Sequence, residues 1–225
     1  METILHTDIL VLGGGSAGIA AAVAAVVSPV LASWAVSLSD GVVDRWWWPR
    51  PVTLRQWLPV IAVAVVLAVL ASAGRPPTAW WVLAIGGSVL SVVDFRTHRL
   101  PARFTYPLAT VVATALGGAA LTTSDPTALV RAGAAAVVIG GGYLAVRFCS
   151  PSALGQGDVR VAALAGGVVG YTGWAPVGQA QLLTVLLAGG TALVLRFRPT
   201  TLTARTGQVP LGPAIVVGAV LTVWL

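Results

Sequence analysis

Long apolar runs fill most of the chain, and short polar stretches rich in Pro and Gly separate them. A helix needs about 20 residues to cross a hydrocarbon layer of roughly 30 Å. A span must satisfy its own backbone hydrogen bonds, and no run alternates as a strand does, so each is expected to be a helix. Eight runs have a suitable length: 9–38, 57–73, 78–95, 104–122, 127–148, 158–174, 177–197 and 208–225. The first is over-long and contains Pro29, so a kink or an interfacial extension is expected there.

The arginines between these runs predict the orientation in the membrane. Eleven of the thirteen lie in the connections after the first, third, fifth and seventh runs: Arg45, Arg50, Arg55, Arg96, Arg99, Arg103, Arg147, Arg160, Arg196, Arg198 and Arg205. Arg75 and Arg131 lie on the opposite side. Cytoplasmic loops carry the excess of positive charge in membrane proteins. We therefore expect an all-α polytopic bundle of about eight transmembrane helices, with both termini outside and the arginine-rich loops in the cytoplasm.

The composition excludes a soluble domain. Apolar residues make up 57% of the 225 residues and charged residues 9%, and the mean hydropathy is +0.90. The net charge of +6 comes from arginines that flank apolar runs, so topology explains it better than a nucleic-acid partner. The single cysteine, Cys149, excludes an internal disulfide. The first eight residues contain two acids and no arginine, and no cleavable signal peptide is expected.

Two of the seven acidic residues stand apart from the others. Five lie at an end or in a connection, whereas Asp94 closes the third run in "LSVVDFRTHRLP" and Asp158 opens the sixth in "ALGQGDVRVAALAGG". An ionisable residue at the edge of a span is costly and is a functional-site hypothesis by default. The alternative is that each carboxylate reaches water or pairs with a nearby arginine, Asp158 with Arg160 for example. Position in the sequence alone leaves both interpretations open.

The residues around Asp158 favour the functional interpretation. Gly155 and Gly157 allow the backbone to approach another helix or a substrate closely. Asp158 lies in the first turn of its predicted helix, where the dipole favours an anion. Two carboxyl groups brought together from separate helices can share one proton and act as acid and base on a water molecule. The separation of Asp94 and Asp158 along the chain does not show whether they meet.

Glycines near the N-terminus suggest a different site. Gly13, Gly15 and Gly18 spell G-x-G-x-x-G, and Asp40 follows about twenty residues later, as in a dinucleotide-binding turn. That turn requires a strand before it and an amphipathic helix after it, and neither is visible. We interpret these glycines as a contact face of the first helix. Other glycine clusters are expected to form close helix contacts in lipid: Gly140 to Gly142, Gly166 with Gly167, and Gly189 with Gly190.

Three segments together resemble the type IV prepilin peptidases, which are membrane aspartic proteases of the GxGD type. They are "DFRTHRLP" at 94–101, "GQGDVRVAALAG" at 155–166 and "VPLGPAIVVGA" at 209–219, and the resemblance covers roughly residues 78–225. It implies that Asp94 and Asp158 are the catalytic pair, facing the cytoplasm. It also implies supporting roles for the other motif positions: Pro101, Gly155, Gly157, Arg160, Pro210, Gly212 and Pro213.

The resemblance further implies a prepilin or pseudopilin substrate, whose short basic leader is cut at the membrane surface before an apolar helix. Many bacterial members have an N-terminal loop with two Cys pairs that bind zinc. This zinc-binding loop is associated with methylation of the new N-terminus. The corresponding stretch 39–56 contains no cysteine, so zinc cannot be bound in that manner. We therefore expect a peptidase only, without cofactor or metal. The chain is most similar in outline to short members that process Flp or Tad-type pilins, or the pilin-like components of DNA-uptake and secretion machines.

These observations predict two regions, an N-terminal two-helix region at 1–76 and a six-helix catalytic domain at 77–225. The expected location is the inner or plasma membrane, with pilus or secretion machinery as an indirect partner. A proton-coupled transporter that uses the same acids is an alternative, although both acids lie at one face and no inverted repeat is evident. An inactive scaffold of pilus assembly is another.

Overall fold

The computed structural model describes residues 2–40, 51–97, 100–151, 154–197 and 210–225. These residues form α-helices and two 3₁₀ turns (Ala71–Ala73 and Thr222–Trp224), and none of them is in a strand. The α-helices are α1 Glu2–Ser39, α2 Leu54–Leu70, α3 Pro77–Thr97, α4 Ala102–Thr123, α5 Pro126–Cys149, α6 Gln156–Thr172, α7 Trp174–Phe197 and α8 Gly212–Leu221. The prediction of an all-α bundle is confirmed.

The helices coincide with the eight apolar runs, but they differ in their ability to cross a membrane. Five segments are long and apolar enough: Ser16–Ser39, Pro77–Thr97, Ala102–Thr123, Pro126–Cys149 and Trp174–Val194. Leu58–Ala73 and Gly212–Trp224 are apolar but shorter, and α6 has only 17 residues. The structure is consistent with a polytopic bundle. The number of spans and the side of the termini stay predictions.

The glycines of the N-terminal G-x-G-x-x-G pattern lie inside a continuous helix. Helix α1 runs from Glu2 to Ser39 without a break at Gly13, Gly15 or Gly18. A dinucleotide-binding turn needs a strand that leads into a helix, and that arrangement is missing from this segment. At Gly18 no atom of the described residues lies within 4 Å of an added Cβ. Gly18 is therefore not a point of close helix contact, which corrects the interpretation of that position.

Helix α3 lies at the centre of the bundle. It packs against α1, α2, α4 and α8, and most of its residues are buried. Its contact with α8 is close, because a Cβ at Gly87 would lie 2.6 Å from Cγ1 of Val216. Helix α8 also packs against α6 and α7. These contacts bring the C-terminal end of α3 next to the N-terminal ends of α6 and α8.

Glycines also bring α5 and α6 into close contact. A Cβ at Gly140 would lie 2.8 Å from the Cβ of Ala163, and one at Gly166 would lie 3.0 Å from the Cβ of Ile139. The expectation of close helix contacts is confirmed at these two positions. It is wrong for four other glycines of the same clusters, since no described residue comes within 4 Å of an added Cβ: Gly141, Gly142, Gly189 and Gly190.

We expect Gly170→Ala to destabilise the protein. The added Cβ would lie 2.3 Å from the Cβ of Ala135, so α5 and α6 must separate. Overpacking of this kind typically costs about 1–3 kcal/mol. Gly141→Ala is the matched control, because its Cβ meets no atom and the substitution favours the helix. Thermal unfolding in detergent should show a lower midpoint for Gly170→Ala alone; equal midpoints for the two variants would contradict this packing.

The connection between α4 and α5 lies at the end of the bundle opposite Asp94. Asp125 is the N-cap of α5 and accepts hydrogen bonds from the Thr127 hydroxyl and from the backbone N–H of Ala128, the latter at 3.1 Å. These bonds hold the pKa of Asp125 below its usual range. Asp125 is therefore an ordinary capping residue, which makes it a useful control for the other acids.

Some sequence predictions concern residues outside the described ranges. They include the middle of the cysteine-free connection, 41–50, and the arginines at positions 45, 50, 99, 198 and 205. Their contribution to the orientation rests on the sequence.

Candidate functional site

Asp94 lies in the last turn of α3 and is buried, with 4% of its surface exposed. Its Oδ2 accepts a hydrogen bond of 2.9 Å from the backbone N–H of Gly212, the first residue of α8. A helix N-terminus carries free N–H groups and the positive end of the dipole, and it therefore suits a carboxylate. Gly212 belongs to the third sequence segment, 209–219, so this segment contacts Asp94 directly.

The close approach to Asp94 explains why a glycine begins α8. A Cβ at Gly212 would lie 2.9 Å from Oδ2 of Asp94 and 3.2 Å from its Cγ. Pro213 follows in the first turn, where a proline costs no hydrogen bond, and Pro210 is buried just before the helix. The Pro-x-Gly-Pro residues therefore shape the start of α8 against the carboxyl group.

Asp158 is the third residue of α6 and is also buried, with 9% of its surface exposed. Its Oδ2 accepts a hydrogen bond of 2.9 Å from the backbone N–H of Gly155, the N-cap residue. A carboxylate at this position satisfies one of the free donors at the helix start. Each of the two acids is thus oriented by a glycine backbone amide.

Gly157 places the start of α6 against the segment between α3 and α4. A Cβ at Gly157 would lie 2.3 Å from the Cβ of Leu100 and 3.0 Å from its backbone oxygen. Only glycine permits this approach without a shift of backbone. The sequence predicts a close approach at this glycine, and the structure identifies its partner as the stretch that follows Asp94.

The two carboxyl groups meet in one cavity. Asp94 and Asp158 both line a cavity of about 450 Å³, and they lie within electrostatic reach of each other. The other lining residues come from three parts of the chain: Leu38, Leu100, Pro101, Gly155, Gln156, Gly157 and Arg160. Pro101 is also the N-cap of α4, and its backbone oxygen accepts a hydrogen bond of 3.0 Å from the Thr105 hydroxyl. The fold therefore brings together the residues of the first two sequence motifs.

Burial of both acids argues against the view that each carboxylate simply reaches water. The guanidinium of Arg160 lies over the ring of Tyr106 on α4, 5.2 Å from the ring centre, which is cation–π distance. This contact gives Arg160 a partner other than the neighbouring Asp158. Two buried acids therefore share one cavity. Burying ionisable groups is costly, so this arrangement indicates a functional site.

Sequence reasoning missed three residues at this end of the bundle. Leu38 of α1 lines the cavity, so the N-terminal helix contributes to its wall. Arg147, at the end of α5, donates a hydrogen bond of 2.7 Å from Nη1 to the backbone oxygen of Leu154. Arg147 and Tyr143 both lie within electrostatic reach of Asp158. Arg147 served only as a topology marker in the sequence, since nothing there indicates its partner.

The described residues around this cavity do not form a metal site. Within the described ranges, no three His, Cys, Asp or Glu residues are gathered as metal ligands. The cavity offers two carboxylates, two glycine amides and Arg160. Such a set can bind a water molecule between two acids and transfer protons to and from it.

The sequence model of the type IV leader peptidase family matches residues 81–196. The matched region includes both acids and the G-x-G-D stretch. No match to this chain was found among curated proteins or among solved structures.

Proposed function

Because the chain belongs to the type IV leader peptidase family, we propose that it is an aspartic endopeptidase that removes the leader of prepilin-type substrates. Asp94 and Asp158 form the catalytic pair of this proposal. The family supports a leader peptidase; the aspartic mechanism rests on the geometry of the two acids.

The observation that carries the mechanism is the meeting of Asp94 and Asp158 in one cavity. With one proton between them, one carboxylate takes a proton from a water molecule, whose oxygen then attacks the scissile carbonyl carbon. The other carboxyl group gives its proton to the amide nitrogen as the C–N bond breaks. The products are the leader's new carboxyl group and the mature protein's new amine.

The backbone amides support this chemistry by fixing the two carboxyl groups. The N–H groups of Gly155 and Gly212 each hold the Oδ2 of one acid at 2.9 Å. Hydrogen bonds to a charged acceptor are stronger than those between neutral groups, and both amides belong to helix starts. A preorganised pair needs little rearrangement when the proton moves.

The proposal extends to the substrate and the organisation of the chain. We propose a prepilin, pseudopilin or Flp-type substrate, and no methyltransferase activity, because the 39–56 stretch lacks cysteine. Residues 77–225 form the catalytic region. The 1–76 region contributes Leu38 to the lining of the cavity.

The apolar helices and the family together indicate a multi-pass membrane protein. We propose that the site faces the cytoplasm, as the arginine distribution predicts. Cys149, the single cysteine, ends α5 at the end of the bundle that holds the two acids, and it is exposed.

A membrane-impermeant maleimide should label Cys149 in inside-out vesicles and not in intact cells. Thr123→Cys in a Cys149→Ser background is the matched control at the opposite end of the bundle and should show the reverse pattern. Labelling of Cys149 from the outside would contradict the proposed side of the site.

The function itself is tested with purified protein and a purified prepilin in detergent. The expected result is a single cut between the basic leader and the apolar helix, identified by the masses of the two products. Reconstituted protein that moves protons across the bilayer and leaves the prepilin intact would support a transporter instead.

A further inference from the structure

We propose that Arg147 is a positioning residue for Asp158 and that it acts through the single peptide group that joins Leu154 to Gly155. The proposal rests on the proposed function, because its effect is on leader cleavage. It assigns a task to a residue that the sequence motifs do not include.

Two hydrogen bonds meet on this peptide group. Nη1 of Arg147 donates to the oxygen of Leu154 at 2.7 Å, and the N–H of Gly155 donates to Oδ2 of Asp158 at 2.9 Å. The carbonyl of Leu154 and the N–H of Gly155 belong to the same planar unit, so they cannot rotate independently. A guanidinium that holds the oxygen therefore fixes the direction of the N–H.

The local backbone explains why this peptide group needs a side chain to hold it. Leu154 and Gly155 precede the first residue of α6, and Gly155 has an extended backbone (φ −73°, ψ 149°). The helix therefore does not set the orientation of the peptide plane between them. Leu154 is buried, which keeps its carbonyl away from bulk water. Arg147 supplies the partner that the carbonyl requires.

The positive charge of Arg147 strengthens its effect on Asp158. A cation on the carbonyl oxygen polarises the peptide group, so its N–H becomes a better donor to the carboxylate. Arg147 also lies within electrostatic reach of Asp158 directly. Among the residues that the structure describes, the other ionisable groups around this carboxylate are Asp94 on α3, Tyr143 on α5 and Arg160 on α6.

The chain offers a matched control in Arg131, which lies on the same helix. Its Nε donates to the oxygen of Gly170 at 2.9 Å, and its Nη2 donates to that of Tyr171 at 2.6 Å. Arg131 therefore fastens α5 to the C-terminal end of α6, far along the helix from Asp158. Loss of Arg131 removes a comparable α5–α6 connection without touching the Leu154–Gly155 peptide.

The test compares kcat and KM for a purified prepilin in detergent among wild type, Arg147→Met, Arg147→Lys and Arg131→Met. We expect Arg147→Met to lower kcat by roughly tenfold to a hundredfold, the loss typical of one hydrogen bond to a charged group, with little change in KM. Arg147→Lys should recover part of the loss because it keeps the charge. Arg131→Met should lower the thermal midpoint and leave kcat near the wild-type value.

Equal kcat values for Arg147→Met and wild type would overturn the proposal and leave the peptidase function intact. The same kcat loss in Arg131→Met would also overturn it, since Arg147 would then be only a helix clamp. If Arg147→Met does not accumulate, Arg147→Gln replaces it, and a smaller fall in kcat is expected, because Gln keeps a donor but lacks the charge that polarises the peptide group. Failure of the wild-type protein to cut would overturn the proposed function and this proposal with it.

Discussion

Asp94→Asn and Asp158→Asn are each expected to abolish leader cleavage. Asn keeps the size of the side chain but cannot take up or release a proton at neutral pH. General acid and base catalysis each contribute roughly 10²–10⁴-fold, so either substitution should remove most of the rate. Both variants should still accumulate in the membrane, since Asn also accepts the glycine N–H bond that holds each carboxyl group.

The measurement is the ratio of processed to unprocessed prepilin in cells that lack another leader peptidase, with the amount of each variant determined in parallel. Asp125→Asn is the matched control. It changes the same chemical group at a half-buried helix cap remote from the cavity, and processing should continue. Full processing by either Asp94→Asn or Asp158→Asn would exclude a catalytic role for that residue.

Gly157→Ala is expected to reduce cleavage strongly through a displacement of Asp158. The new Cβ would lie 2.3 Å from the Cβ of Leu100 and 3.0 Å from its backbone oxygen, so one backbone segment must shift. Because Asp158 is the next residue, the shift separates the two carboxyl groups. A displacement of about 1 Å in a catalytic group can cost on the order of 100-fold in rate.

The control for Gly157→Ala is Gly141→Ala, a glycine of α5 with no atom near the added Cβ. Both variants are assayed with purified prepilin, and their thermal midpoints are compared. The account expects a large loss of kcat for Gly157→Ala and an unchanged kcat for Gly141→Ala. Wild-type activity in Gly157→Ala would show that the contact with Leu100 does not position the acid.

The sequence predicted the helices well because the membrane requirement is simple. Apolar runs of sufficient length must become helices, and α3, α4 and α5 match their runs closely. The same rule draws attention to the two acids that lie at the ends of apolar runs. Polar residues are rare in such a chain, so position alone marked Asp94 and Asp158 as candidates before any contact was known.

The contacts between distant segments could not be read from the sequence. Gly212 donates to Asp94 across 118 positions of the chain, and only the packing of α8 against α3 creates that bond. The sequence offers Arg160 as a partner for its neighbour Asp158, whereas its guanidinium lies over Tyr106 on α4. In each case the partner depends on how the helices are arranged in three dimensions.

Glycine patterns illustrate the same limit. The clusters in α5 and α7 look alike in sequence, yet Gly140 contacts α6 closely while Gly189 and Gly190 face open space. A small residue permits a close contact but does not specify whether a neighbouring helix is there. Which face of a helix is covered is decided by the whole bundle.

If Asp94 and Asp158 act as one catalytic unit, their substitutions should not have additive effects, and a double-mutant comparison measures this. Residual single-turnover rates on a prepilin are compared among Asp94→Asn, Asp158→Asn and the variant with both substitutions. Residues that act as one unit are strongly non-additive. The account expects the double variant to be no slower than either single variant. Two results would contradict this: a loss of rate in the double variant as large as the two single losses combined, or substantial activity in one single variant.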